Sequence, residues 1–205
     1  MSADPQFKIA VLISGGGTTL KNLIRVHEQG KLPVEISLVV SSNPDANGNG
    51  IANEHGIELV VVDHQDYRGD SSAFSDLIFE RCRNANVDLV VMGGFLRKLV
   101  IPSDFENRVI NIHPSLIPDF CGKGMYGMRV HRAVIEAGVE SSGCTVHFVD
   151  NEYDHGPIIA QEKVPVVADD RPDDLQARVF AAECDLYPSI IAAIARGTVT
   201  IGNAI

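Results

Sequence analysis

No stretch of this chain is apolar for anything like the roughly 20 residues needed to cross a bilayer. The first residues, Met1 to Gln6, are short and polar and lack the charged-then-apolar pattern of an export signal. Cationic side chains are in the minority. With 17 Lys and Arg against 27 Asp and Glu the formal charge is -10, so the basic stripe of a nucleic-acid surface is missing. The four cysteines, Cys82, Cys121, Cys144 and Cys184, stand singly. They make neither a disulfide framework nor a CxxC metal pattern, which suits a reducing cytoplasm. No His, Cys, Asp or Glu set has metal-ligand spacing, so no metal is expected. There is no repeat, low-complexity tract or linker. What remains is 45% hydrophobic and 21% charged over 205 residues, enough for one sizeable globular domain.

The hydrophobic pattern alternates between two kinds of segment. Lys8 to Ser14 is a continuous apolar run of the kind a buried parallel strand shows, followed by glycines and then Leu20, Leu23 and Ile24 at helical spacing. Strands are expected over Val34 to Ser41, Ile57 to Val62, Val87 to Met92 and Arg108 to His113. Helices are expected over Ala46 to His55 and Phe74 to Ala85. This alternation predicts an α/β fold with a doubly wound, mostly parallel sheet, in which ligands sit beyond the carboxyl ends of strands. Gly15 to Thr19, Phe95 to Leu99 and Asn111 to Ser115 all fall at such ends. The last third reads as two strands, Ser142 to Val149 and Ile158 to Val166, then a long helix from Leu175 to Ile194 with Pro188 as a kink point.

Two segments carry chemistry. Ser14-Gly15-Gly16-Gly17-Thr18-Thr19 joins a strand to a helix, where glycines let the backbone approach a ligand and the helix start offers unpaired amides to an anion. A tight strand–helix turn with no ligand is the plainer alternative. A dinucleotide fingerprint would need glycine at Leu20, and a Walker loop would need a Lys-Ser/Thr pair; both fail, so a phosphomonoester suits the loop better. Asn111-Ile112-His113-Pro114-Ser115 is the second segment, answered by Asp154 in Tyr153-Asp154-His155-Gly156. An amide, an imidazole and a carboxylate are what a formyl carbon under attack by an amine requires. The amide holds the carbonyl oxygen, the imidazolium stabilises developing charge, and the carboxylate favours the cation. His147 lies near Asp154 along the chain and reads equally as packing or as support for the site. His27, His55, His64, His131 and His155 read as surface or packing residues. Cys121 has no adjacent base and reads as incidental.

With these residues in place the chain resembles the phosphoribosylglycinamide formyltransferase family, from Lys8 to about Gly197. GGFLRKL (Gly93 to Leu99), NIHPSLIP (Asn111 to Pro118) and SGCTVHFVDNEYDHGPIIAQ (Ser142 to Gln161) carry the resemblance. It implies one formyltransferase domain over 1–205, with a Rossmann-like N-terminal half for phosphate and nucleotide and a C-terminal half for folate. It implies 10-formyltetrahydrofolate as co-substrate and glycinamide ribonucleotide as acceptor, in a monomer or homodimer. Asn111, His113 and Asp154 would be catalytic. Gly17, Thr18 and Thr19 would hold the ribonucleotide phosphate, and Glu183 the ribose hydroxyls. Leu96, Arg97, Lys98 and Leu99, together with Asn111, would contact the folate, the four-residue segment largely through backbone groups.

The chain also departs from the family pattern. The usual loop Gly-Asn-Gly-Ser-Asn has Gly16, Thr18 and Thr19 in place of Asn, Ser and Asn. Cys184 follows Glu183 where His is common. Cys121 to Gly127 resembles an insertion that some members carry. A family arginine that contacts the cofactor has only Arg68 as a nearby counterpart. Two relatives share the catalytic region. Formyltetrahydrofolate deformylase carries an extra N-terminal domain, for which a first strand at Lys8 leaves no room. Methionyl-tRNA formyltransferase carries a C-terminal tRNA-binding domain, whereas this acidic chain ends soon after its last helix. A catalytically silent nucleotide-binding module is the alternative from another class.

Overall fold

The computed structural model describes residues 6–199. Its seven strands are ordered β3-β2-β1-β4-β5-β6-β7 in a mostly parallel sheet. The chain divides between Ile110 and Asn111 into two compact units, and the strand Val109–His113 (β5) runs through the division.

The first unit contains β1 (Lys8–Ile13), α1 (Thr18–Glu28), β2 (Glu35–Ser41), α2 (Gly48–Glu54), β3 (Glu58–Val61), α3 (Ser71–Asn84) and β4 (Leu89–Met92). β1 pairs in parallel with β2 on one side and with β4 on the other, and β2 pairs in parallel with β3. The chain therefore builds outward from β1 in both directions. Such a reversal of strand order leaves a crevice at the carboxyl ends of the two strands where it occurs. The Gly15 loop leaves β1 there, and the Gly93 to Leu99 segment leaves β4 there. Central position accounts for the sequence: five of six residues in β1 and all four in β4 are buried, so neither strand alternates. The Asp70 carboxylate caps α3 by accepting from the Ala73 amide at 2.9 Å. On the inner side of α3, Phe79 meets Phe105 with ring centroids 4.9 Å apart. Each is almost wholly buried, worth about 1.5–3 kcal/mol per side chain.

The second unit contains the end of β5, α4 (Met128–Ala137), β6 (Ser141–Phe148), β7 (Ile158–Pro165) and α5 (Pro172–Ala195). β6 and β7 are antiparallel, with Thr145 opposite Gln161, and α5 packs on both. Pro172 opens α5 at the first turn, where a missing N–H costs nothing. Leu175, Tyr187 and Ile191 bury its inner face.

The structure adjusts several expected boundaries. α5 begins at Pro172 and is one helix through Pro188. The strand expected over Arg108 to His113 is observed as Val109–His113, with Asn111 and His113 inside it. α4 was not expected. Its signal is Val130 and Val134 buried four apart, between Gly127 and Gly138, hidden behind the glycine-rich run that precedes it. Among the described residues no helix is long and apolar enough to cross a membrane.

Candidate active site

In the second unit, a strand, its neighbour in the sheet order and one loop supply five polar side chains. Asn111 and His113 are two apart on β5 and so project from the same face, and Thr145 and His147 do the same on β6. Asp154 comes from the turn between β6 and β7, where it adopts a left-handed backbone at φ 52°. Gly156 closes that turn. A Cβ there would collide with the Phe148 carbonyl, so the return of the chain beneath Asp154 requires glycine.

The contacts define proton positions. Phe148 O lies 2.8 Å from His147 Nδ1, and a carbonyl only accepts, so Nδ1 carries hydrogen. His147 is buried, and loss of water is the main cause pushing its pKa below the ordinary value. The ring is then neutral, and its Nε2 lone pair faces the Asn111 side chain at 3.3 Å. Only the amide NH2 can satisfy that lone pair, which fixes the orientation of Asn111 and leaves its second N–H free.

His113 is 4% exposed in its side chain. Its Nε2 donates to Phe120 O at 2.9 Å, and its Nδ1 lies 3.5 Å from Asp154 Oδ2. Each ring nitrogen therefore faces an oxygen. The Gly122 amide donates to Asp154 Oδ2 at 2.9 Å, and Asp154 Oδ1 lies 3.8 Å from His147 Nε2. Phe120 and Gly122 thus hold the pair from the backbone, flanking Cys121.

Thr145 buttresses the loop that follows β5. Its hydroxyl donates to Ser115 O at 2.7 Å and accepts from the Ile117 amide at 3.1 Å and from Gln161 Nε2 at 2.8 Å. Sequence reading had Thr145 and Gln161 only as members of the Ser142 to Gln161 stretch that carries the family resemblance, and did not single out Phe120 or Gly122, which act through backbone groups. His131, expected as a surface or packing residue, is a packing residue. That ring is buried on α4 with Nδ1 lacking a protein partner, and its pKa is pushed down to about 4, first by burial and then by the charge of His113.

Glu183 lies on α5, half-buried, and loss of water pushes its carboxyl up to about 7. Cys144 on β6 is raised to about 12, by burial and then by the Glu183 charge.

In the first unit, Gly17 stands at the N-cap of α1 with φ 71° and no side-chain cap, so the first amides of the helix are left to a ligand or solvent. Thr18 is exposed, while Thr19 packs towards Gly93. The glycine loop is pressed against the start of α2. A Cβ on Gly17 would come within 2.6 Å of Gly48 Cα, and Gly48 N donates to Gly15 O at 3.0 Å. After β4, Leu96 is 49% exposed and Lys98 is exposed, Arg97 is half-buried, and Leu99 is 4% exposed and packs inward. Arg68 is exposed and donates to Gln65 Oε1 at 3.1 Å.

Comparison with known proteins gives a consistent picture. A family model described as formyl transferase matches residues 7–191. A Haemophilus influenzae protein named phosphoribosylglycinamide formyltransferase is 35% identical over 186 residues, covering 90% of this chain and 85% of the relative. The chloroplastic phosphoribosylglycinamide formyltransferase of Vigna unguiculata is 38% identical over 191 residues, 91% of this chain. The matched region is 60% of that plant protein's length. Among solved structures, glycinamide ribonucleotide transformylase 1 from Symbiobacterium toebii is similar with a TM-score of 0.88 and 37% identity, covering 96% of this chain and 92% of that one.

Proposed function

Since the chain belongs to the formyl transferase family, among the phosphoribosylglycinamide formyltransferases, we propose that it moves a formyl group from 10-formyltetrahydrofolate to the primary amine of glycinamide ribonucleotide. The observation that carries this reading is the convergence of Asn111, His113, His147 and Asp154.

The amine attacks the formyl carbon, the carbonyl π electrons move to oxygen, and a tetrahedral intermediate forms. Asn111, held by His147, supplies its free N–H to that oxygen. Asp154 sets His113 in place beside the developing charge. The proton lost by the attacking amine passes, through water ordered by Asp154, towards N10 of the folate as the C–N bond breaks. Holding two substrates in line supplies much of the remaining acceleration.

The ribonucleotide phosphate is assigned to the amides of Gly17 to Thr19 and the Thr18 hydroxyl. The ribose hydroxyls are assigned to Glu183, and the pterin edge to backbone groups of Leu96 to Leu99. In this reading the N-terminal half binds phosphate and nucleotide and the C-terminal half serves the folate. The reading extends to the cytoplasm, which suits four cysteines that stand singly in the sequence, and to small-molecule substrates acting on a monomer or homodimer.

The test is an absorbance assay of folate deformylation with and without glycinamide ribonucleotide. Product that depends on the ribonucleotide is the expected result. Equal product without it would make the protein a hydrolase, and no product in either case would make it a binding module.

A further inference from the structure

We propose that Ser14 is a positioning residue that joins the phosphate loop to the pterin segment, so that occupancy of one is felt by the other. The proposal rests on the assignment of those two segments given above.

Ser14 is the last residue before the glycines. The Leu96 amide donates to its hydroxyl at 3.0 Å, across 82 positions of sequence. The same hydroxyl lies 2.7 Å from Ser42 Oγ, at the end of β2. Ser14 is 9% exposed and Ser42 fully buried, so water does not compete for the pair. One hydroxyl has one hydrogen and two lone pairs. With Leu96 as donor to one lone pair, Ser14 either gives its hydrogen to Ser42 or accepts Ser42's. Both arrangements keep the Leu96 amide satisfied.

Leu96 projects its side chain outward, 49% exposed, so side-chain packing does little to hold this residue. Its amide is what ties it to the sheet. A second contact follows the same line: an atom placed at the Cβ position of Gly93 would lie 3.4 Å from Thr19 Cβ and 3.2 Å from Val11 Cγ1. Thr19 of the phosphate loop therefore packs against Gly93, three residues before the pterin segment. On its opposite side the loop is held by the bond from Gly48 N to Gly15 O. A loop braced from α2 and hydrogen-bonded to the 93–99 segment cannot shift on binding phosphate without moving the Leu96 amide. The two sites then share a coupling free energy, and it must be reciprocal.

The experiment uses the full chain and calorimetric titration of glycinamide ribonucleotide, with and without saturating tetrahydrofolate, which lacks the formyl group and cannot react. In the wild-type protein each ligand should tighten the other about 5-fold or more, the lower end of typical couplings. Ser14→Ala should bring that factor close to one and weaken both ligands by a similar few-fold, while Ser14→Thr, which keeps the hydroxyl, should restore coupling. Amide exchange at Leu96, read by NMR, should speed up in Ser14→Ala and slow again in Ser14→Thr. A folded Ser14→Ala protein with wild-type coupling would overturn the proposal. So would a loss confined to one ligand, an absence of coupling in the wild type, or a Ser14→Thr protein with a protected Leu96 amide and no coupling. A wild-type protein that binds neither ligand would overturn the functional reading itself and the proposal with it.

Discussion

The amide of Asn111 is oriented by His147: Nδ2 lies 3.3 Å from the Nε2 lone pair of a ring whose own hydrogen is committed to the Phe148 carbonyl. A neutral buried histidine is therefore a fixed acceptor. His147→Leu should let the amide rotate and lower turnover about tenfold or more, with much smaller changes in the Michaelis constants, because only the oxyanion contact is lost. His147→Gln retains an acceptor and should keep more activity than His147→Leu. Steady-state kinetics on both variants checks the ordering.

Asp154 faces both histidines and also accepts from the Gly122 amide. Asp154→Asn keeps an oxygen for Gly122 and removes the charge. Turnover should fall by about two orders of magnitude or more, the range for losing electrostatic or acid–base help. Binding of both substrates should change far less. A large loss of substrate affinity with turnover intact would move Asp154 out of the chemistry.

Gly48 presses on the phosphate loop. Gly48→Ala would bring a methyl within 2.7 Å of Ile13 Cδ1 and 3.0 Å of Gly17 Cα. The loop should shift, raising the Michaelis constant for the ribonucleotide several-fold more than that for the folate. Equal effects on both would place the phosphate elsewhere.

Glu183 has a raised carboxyl, at about 7 in the folded protein. The unfolded chain ionises it first, so folding stability is full below the ordinary carboxylate range and is lost as pH climbs towards 7. Above that value the loss stops growing. Glu183→Gln should therefore gain thermal stability relative to wild type between pH 4.5 and 8. Melting curves across that range check the sign, and ribonucleotide affinity in the wild type should change over the same window.

Asp170 behaves in the opposite way. Hydrogen bonds from Arg178 and the Val167 amide lower its carboxyl to about 2, and the Arg178 guanidinium also donates to Pro165 O at 2.9 Å. This contribution is present above the ordinary carboxylate range and vanishes as pH falls towards 2. Asp170→Asn should melt lower at neutral pH, with the gap closing between about pH 4 and pH 2.

Sequence reading reached the sheet because parallel strands such as β1 and β4 are apolar throughout, a pattern that survives without a structure. It reached Asn111, His113 and Asp154 as candidates because side-chain chemistry is written in residue type. It left His147 undecided, since nothing in the sequence gives the tautomer that a single carbonyl selects. It missed α4, whose two buried valines follow a loop of glycines. It had no access to Phe120 or Gly122, where the acting groups are a carbonyl and an amide common to nearly every residue. The same holds for the Ser14–Leu96 bond, which depends on two segments 82 residues apart meeting at adjacent strand ends.

The Phe120 carbonyl accepts a hydrogen bond from His113 at 2.9 Å, and Phe120 holds a left-handed backbone at φ 52° to place it there. The orientation of the His113 ring is thus stored in part in a main-chain oxygen seven residues away and not only in a side chain. No substitution at Phe120 deletes that oxygen; only a change in the path of the 114–122 loop withdraws it.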